Sequence, residues 1–99
     1  MLDFYLIDDD QSKPSCPEDM NLKYIGGLDD RIFKNLKAKG LIDGRFNYHT
    51  DFRWKSDLIK QKHHELTNHK NQNDMDLRRF FELINKAQES NCGLIAYCD

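Results

Sequence analysis

Two short apolar runs stand at opposite ends of this 99-residue chain, one at residues 4–7 (FYLI) and the other at residues 94–97 (LIAY). Aromatic and β-branched side chains favour strands, and apolar residues at consecutive positions indicate a strand that is covered on both faces. We therefore predict strands at about residues 2–7 and 93–97, both inside one small sheet. Their pairing closes the fold on itself, so residues 1–99 are predicted to form a single domain.

Polar sequence with the signals of three helices lies between these runs. Asp29 can cap the first helix, and Gly40 can end it in the left-handed conformation. Ser56 can cap a second helix, and Asp74 can start a third, in which apolar residues recur at i, i+3, i+4 and i+7. The three helices are predicted at about residues 30–39, 57–68 and 74–90. The predicted fold class is α+β, with these helices packed mainly on one face of the sheet.

The connections between these elements are predicted from turn-forming residues. Residues 23–25 can add a brief strand before Gly26 and Gly27 turn the chain. Residues 45–48 follow an Asp-Gly turn and are predicted to form another short strand. Residues 11–21 contain two prolines and no sustained periodicity, so they are expected to form a loop.

Charge and cysteine content limit the class of protein. The chain has 15 basic and 17 acidic side chains, so it lacks the overall positive field that draws proteins onto nucleic acid or anionic membranes. It shows no secretion signal, and no run approaches the roughly 20 apolar residues of a membrane span. The odd number of cysteines, Cys16, Cys92 and Cys98, predicts reduced thiols. We expect a cytoplasmic protein without a membrane partner.

A group of three histidines, His63, His64 and His69, surrounds one glutamate. A zinc-binding helix of this type places two histidines four residues apart with the glutamate between them. Position 68 is Asn68, and His69 lies one residue too far along, so the spacing fails. The three histidines are only weak metal candidates. We predict no cofactor and no catalytic residues, and therefore no enzymatic activity.

The aromatic residues before the second helix are the best candidates for contact with a partner protein. Phe52, Arg53 and Trp54 are consecutive, and Tyr48 lies just before them. Tyr, Trp and Arg supply most of the binding energy in protein interfaces. Core packing is the favoured interpretation of Trp54, because a small domain seldom leaves its only tryptophan unburied.

An acidic cluster directly after the first strand is the second part of the predicted contact surface. Asp8, Asp9 and Asp10 end that strand and offer negative charge to a basic target. A merely solvated strand end is the ordinary alternative, and a magnesium site at the strand end is another.

A nucleic-acid interface is the competing prediction, because the second and third helices carry local basic character. The candidate contacts are Lys55, Lys60, Lys62, Arg78 and Arg79. Acidic residues are interleaved with them, as on an ordinary salt-bridged surface: Asp57, Glu65, Asp74 and Asp76.

These observations favour a small bacterial cytosolic protein that binds and inhibits a partner by surface contact, without catalysis. Immunity proteins that block bacterial toxins are of similar size and general character, so the expected partner is another protein such as a toxin. A nucleic-acid-binding regulator is the alternative, and a metal-dependent protein comes third. No motif identifies the partner or the oligomeric state.

Overall fold

The computed structural model of this chain describes residues 1–12, 22–68 and 74–98. Its elements are, in order, β1 (Leu2–Ile7), β2 (Lys23–Leu28), α1 (Asp30–Ala38), β3 (Phe52–Trp54), α2 (Ser56–Thr67), α3 (Met75–Glu89) and β4 (Gly93–Cys98). The strands form one antiparallel sheet in the order β2-β1-β4-β3. The predicted α+β fold, with both terminal strands in one sheet and three helices, is confirmed.

The two terminal strands lie at the centre of the sheet. β1 pairs with β4 in a regular antiparallel register that runs from Leu2 opposite Cys98 to Ile7 opposite Gly93. The helix-facing side chains are buried, and so is a second apolar cluster of Ile7, Ile95 and Tyr97 on the other face. These strands are therefore covered on both sides, as their consecutive apolar residues predicted.

The main core lies between the sheet and the three helices. α1 contributes Phe33 and Leu36, and α3 contributes Phe80 and Ile84, all at most 1 % exposed. α2 is less apolar, because its three buried residues include a charged one: Ile59, Lys62 and Leu66. None of the helices in the described ranges is long and apolar enough to cross a membrane.

The helix boundaries follow the capping residues in α1 and α3. Asp29 accepts a hydrogen bond from the backbone nitrogen of Ile32 at 2.8 Å, and Asp74 accepts one from the backbone nitrogen of Asp76 at 2.9 Å. Gly40 has φ +77° after the end of α1, as predicted. The prediction for α2 is wrong in one respect: Ser56 is the first helical residue, and Lys55 at the N-cap makes no side-chain capping bond.

β2 extends through the two glycines that were predicted to form a turn. The register between β1 and β2 shifts at a β-bulge, where Phe4 pairs with Gly26 and Tyr5 with Tyr24. Gly26 has φ +147°, and a Cβ atom there would lie 2.8 Å from Cδ2 of Leu83. Glycine therefore allows the bulge conformation and the close approach of α3 instead of ending the strand.

Residues 45–48 form turns and irregular chain rather than the predicted strand, and the strand in this region is β3. The side chain of Asp43 accepts a hydrogen bond from the backbone nitrogen of Arg45, and that of Asn47 accepts one from His49. These local bonds supply the backbone with partners that a strand would otherwise provide. Of the predicted loop at 11–21, residues 13–21 lie outside the described part of the chain.

Candidate protein-binding surface

The turn after β1 is fixed by the guanidinium group of Arg53. Nη2 donates to the carbonyl oxygens of Asp8 at 2.6 Å and Asp9 at 3.1 Å, and Nη1 donates to that of Gln11 at 2.7 Å. The backbone nitrogen of Gln11 also donates to the carbonyl oxygen of Asp8 at 3.0 Å. Hydrogen bonds to a charged donor are the stronger kind. Residues 8–11, which we name the acidic turn, are thus held against β3.

The carboxylate of Asp9 caps α2, whose own N-cap residue has no capping side chain. It accepts hydrogen bonds from the backbone nitrogen of Ser56 at 2.8 Å and from the Ser56 hydroxyl. These bonds hold the pKa of Asp9 below its ordinary value, and the positive charges of Lys55 and Arg53 act in the same direction. Asp9 therefore has a structural role in joining the acidic turn to α2.

The remaining carboxylates of this corner face solvent. Asp8 and Asp10 are exposed, and so is Asp57 in the first turn of α2. Because the backbone between them is fixed by Arg53 and Asp9, the carboxylates of Asp8 and Asp10 project from a firm support. Such an arrangement attracts positively charged groups without a large loss of backbone freedom on binding.

Trp54 lies in the core, as the core-packing interpretation expected, and it offers almost no surface to a partner. It is 1 % exposed, and its ring lies 5.7 Å from that of Phe4 and 5.9 Å from that of Phe80. Phe52 lies two residues before Trp54, on the same face of β3, and is half-buried against it with a ring-to-ring distance of 5.1 Å. That face looks toward the helices, whereas Arg53 between them points the other way.

Tyr48 is half-buried in the segment that joins α1 to β3. Its ring lies 5.7 Å from that of Phe33 and 5.2 Å from that of His49. Burial raises the pKa of Tyr48, and the negative charge of Asp30 adds to the effect. Tyr48 and Phe52 therefore belong with the helix-side aromatic residues, and the predicted contact set does not form one surface. Only Arg53 and the three aspartates lie together.

The basic residues of the nucleic-acid alternative do not form one free surface either. Lys55 and Lys60 are exposed on α2, but Lys62 is 8 % exposed and its Nζ pairs with Glu65 at 3.3 Å. Nε of Arg79 donates to the carbonyl oxygen of Gly27 at 3.0 Å, and Arg78 is also an exposed α3 residue. Lys62 is therefore withdrawn from that candidate set.

The histidines of α2 contact amide side chains. Nε2 of His63 lies 3.2 Å from Oδ1 of Asn85, and the ring of His64 is 3.1 Å from Nδ2 of Asn68. His69 lies outside the described residues, as does Cys16. Across residues 1–12, 22–68 and 74–98, the structure contains no group of three or more His, Cys, Asp or Glu side chains placed to hold a metal ion.

The two cysteines in the described ranges are free thiols. Cys92 is buried and Cys98 is half-buried at the end of β4. Burial raises the pKa of the Cys92 thiol, and the nearby charges of Asp8 and Asp9 add to this effect. A thiol with a raised pKa is a poor nucleophile at neutral pH, so Cys92 has the properties of a core residue.

Sequence reasoning missed the contacts that build the acidic turn, because Arg53 and Ser56 are 44 to 47 residues away from their aspartate partners. The one local signal is that residue 55, before the first turn of α2, is a lysine with no capping capacity, which implies a cap from elsewhere.

Comparisons of this chain with protein-family models, with curated proteins and with solved structures find no match.

Proposed function

We propose that this chain is a small cytosolic bacterial protein that binds another protein, without catalysis, and that the acidic turn is its main contact. The observation that carries this proposal is the fixing of the turn by Arg53 and Ser56, while Asp8 and Asp10 remain exposed. A charged surface that is already rigid loses little conformational freedom when a partner binds. It also steers an oppositely charged partner during association.

The partner that fits this corner is a protein with a basic patch. An inhibitor can block the cationic site of a toxin that acts on an anionic substrate by holding negative charge in a fixed position, without a catalytic group. The acidic turn holds negative charge in this way, which supports an inhibitory role by analogy with immunity proteins.

The experiment is a comparative capture of the partner from lysate of the bacterium that encodes the chain. Bait proteins are the wild type, the double variant D8N/D10N and the control D30N/E82Q, which changes net charge equally at carboxylates of α1 and α3 that lie outside the acidic turn. We expect one basic protein to be retained by the wild type and the control. Its retention on D8N/D10N should fall about tenfold, and added salt should weaken it.

Equal retention by D8N/D10N contradicts the proposal. Loss of the captured protein after nuclease treatment of the lysate instead favours the nucleic-acid alternative, because retention then depends on a bridging nucleic acid. Fluorescence of Trp54, which is buried, confirms that each bait is folded.

A further inference from the structure

Three residues of α3 follow β2 along its length. Arg79, Leu83 and Lys86 are spaced i, i+4 and i+7, so they lie on one stripe of the helix. Nε of Arg79 donates to the carbonyl oxygen of Gly27 at 3.0 Å, and Nζ of Lys86 donates to that of Ile25 at 3.3 Å. Leu83 comes close to Gly26, between those two residues. α3 therefore follows β2 in the antiparallel direction and places a cation at each end of this contact.

β2 is an edge of the sheet, with β1 as its neighbour within the described part of the chain. Unpaired backbone groups at a sheet edge are a template for another strand, and natural proteins often protect them with Lys or Arg. Arg79 and Lys86 give this protection by occupying two backbone carbonyls two residues apart. The Lys86 bond is exposed and long for a charged donor, so a competing group can displace it.

A cavity of about 320 Å³ lies beside this edge, between β2 and the end of α3. Leu6 and Ile25 give it apolar walls, and Tyr24 gives it an aromatic wall that is 50 % exposed. Its polar lining consists of two cationic side chains, one carboxylate and one hydroxyl, so its net charge is positive: Lys23, Lys86, Glu89 and Ser90. Its volume is that of a small binding pocket. It suits a side chain that combines an apolar stem with a carboxylate.

We propose that the β2 edge is a docking site for an extended acidic segment of a partner protein, which adds to the sheet beside β2. Its carboxylates bind Lys23, Arg79 and Lys86, and its backbone N–H groups replace these cations at the carbonyls of Ile25 and Gly27. One of its side chains enters the cavity. This surface is basic and the acidic turn is acidic, so the inference does not depend on the proposed role of that turn.

A second copy of this chain is the wrong occupant for the edge. Pairing of two β2 strands brings Lys23, Arg79 and Lys86 of one copy toward the same residues of the other. Like charges opposed across an interface disfavour association. The cations therefore select an acidic strand and act against self-association.

The test is a titration of ¹⁵N-labelled protein with a capped peptide of three alternating Glu-Val pairs, followed by NMR. One control peptide carries Lys in place of Glu, and a second keeps every Glu but carries Pro in place of Val, which fixes φ away from strand values and removes N–H donors. We expect saturable shifts and slower amide exchange in residues 22–28 with the Glu-Val peptide. The Glu-Pro peptide should bind at least about tenfold more weakly, and the Lys-Val peptide should give no saturable shift.

No saturable shift in β2, or equal affinity for the Glu-Val and Glu-Pro peptides, overturns the proposal. The variant R79Q/K86Q should bind the Glu-Val peptide at least about fivefold more weakly, while K34Q/K60Q, with the same charge change elsewhere, should bind it as the wild type does. If R79Q/K86Q fails to fold, the titrations of the wild type with the Glu-Val, Glu-Pro and Lys-Val peptides still test whether the β2 edge binds an acidic strand. D8N/D10N should keep its affinity for the peptide, which separates a failure of this edge from a failure of the acidic turn.

Discussion

At the scale of single residues, several side chains have roles that their type alone does not indicate. Arg53 has the chemistry of an interface anchor, but its guanidinium group is used to hold backbone carbonyls of the acidic turn. Trp54 is buried because it lies on the helix-facing side of β3. The sequence alone does not show which face of a three-residue strand is turned to the core, because that depends on the neighbouring elements. The residue types therefore indicated which side chains matter, but not whether each side chain points to the core or to the surface.

Gly26 is a position where an added methyl group should be costly. The change G26A forces a non-glycine residue into φ +147° and brings its Cβ to 2.8 Å from Leu83, so we expect a loss of at least about 2 kcal/mol in the free energy of unfolding. Urea denaturation measures this loss. G44A is the matched control, because no atom lies within 4 Å of its Cβ position, and it should stay near the wild type. Equal stability of the two variants would refute this account of the bulge.

Lys62 is a cation in the buried stripe of α2, and its Nζ forms an ion pair with Glu65 at 3.3 Å. The change K62M keeps the long apolar stem and removes the cost of burying the ammonium group. We expect K62M to be neutral or to raise the free energy of unfolding by up to about 1 kcal/mol. K60M, at an exposed position of the same helix, is the control for general effects of methionine. A clear destabilisation by K62M alone would mean that the ammonium group has a required role.

At the scale of elements, sequence patterns located those with strong local signals. Asp29 and Gly40 mark the two ends of α1, and the apolar repeat marks the extent of α3. Both α1 and α3 begin and end within one residue of their predicted positions. β3 was missed because three residues give too short a pattern to recognise. The acidic turn as a fixed surface could not be predicted either, because the partners of Asp9 are distant in sequence and only the folded chain brings them together.

Removal of the Asp9 carboxylate should weaken the start of α2. D9A takes away the acceptor for the Ser56 backbone nitrogen and hydroxyl, so we expect a lower melting temperature and faster amide exchange in the first turn of α2. D10A, at an exposed neighbour, should change neither quantity. Thermal unfolding and hydrogen exchange of both variants test this expectation, and equal behaviour of D9A and D10A would contradict it.

The same contact predicts a pH dependence. Because the folded-state pKa of Asp9 lies below its unfolded value, its contribution to stability is fully present above about pH 4 and is lost as the pH falls through the folded pKa. The difference in melting temperature between the wild type and D9A should therefore shrink as the solution is acidified. A difference that stays constant down to pH 2 would exclude the carboxylate as its cause.

At the scale of the whole molecule, the sheet is covered on both faces, and the two faces should contribute comparably to stability. Leu94 is 1 % exposed toward the helices, and Ile95 is 0 % exposed in the cluster on the other face. We expect L94A and I95A each to lower the free energy of unfolding by about 2–4 kcal/mol. M75A, at a side chain that is 72 % exposed, is the control and should have almost no effect. A small effect of I95A would show that the second face adds little.

The central position of β1 and β4 has a consequence for the synthesis of the protein. β1 is synthesised before β4, its partner at the middle of the sheet, and residues 8–92 lie between the two strands in the chain. Contacts between residues that are so distant in sequence make folding slow, and apolar strands that wait for a partner are sites of aggregation. The nascent chain therefore has to keep β1 out of wrong pairings until β4 has been synthesised and can pair with it.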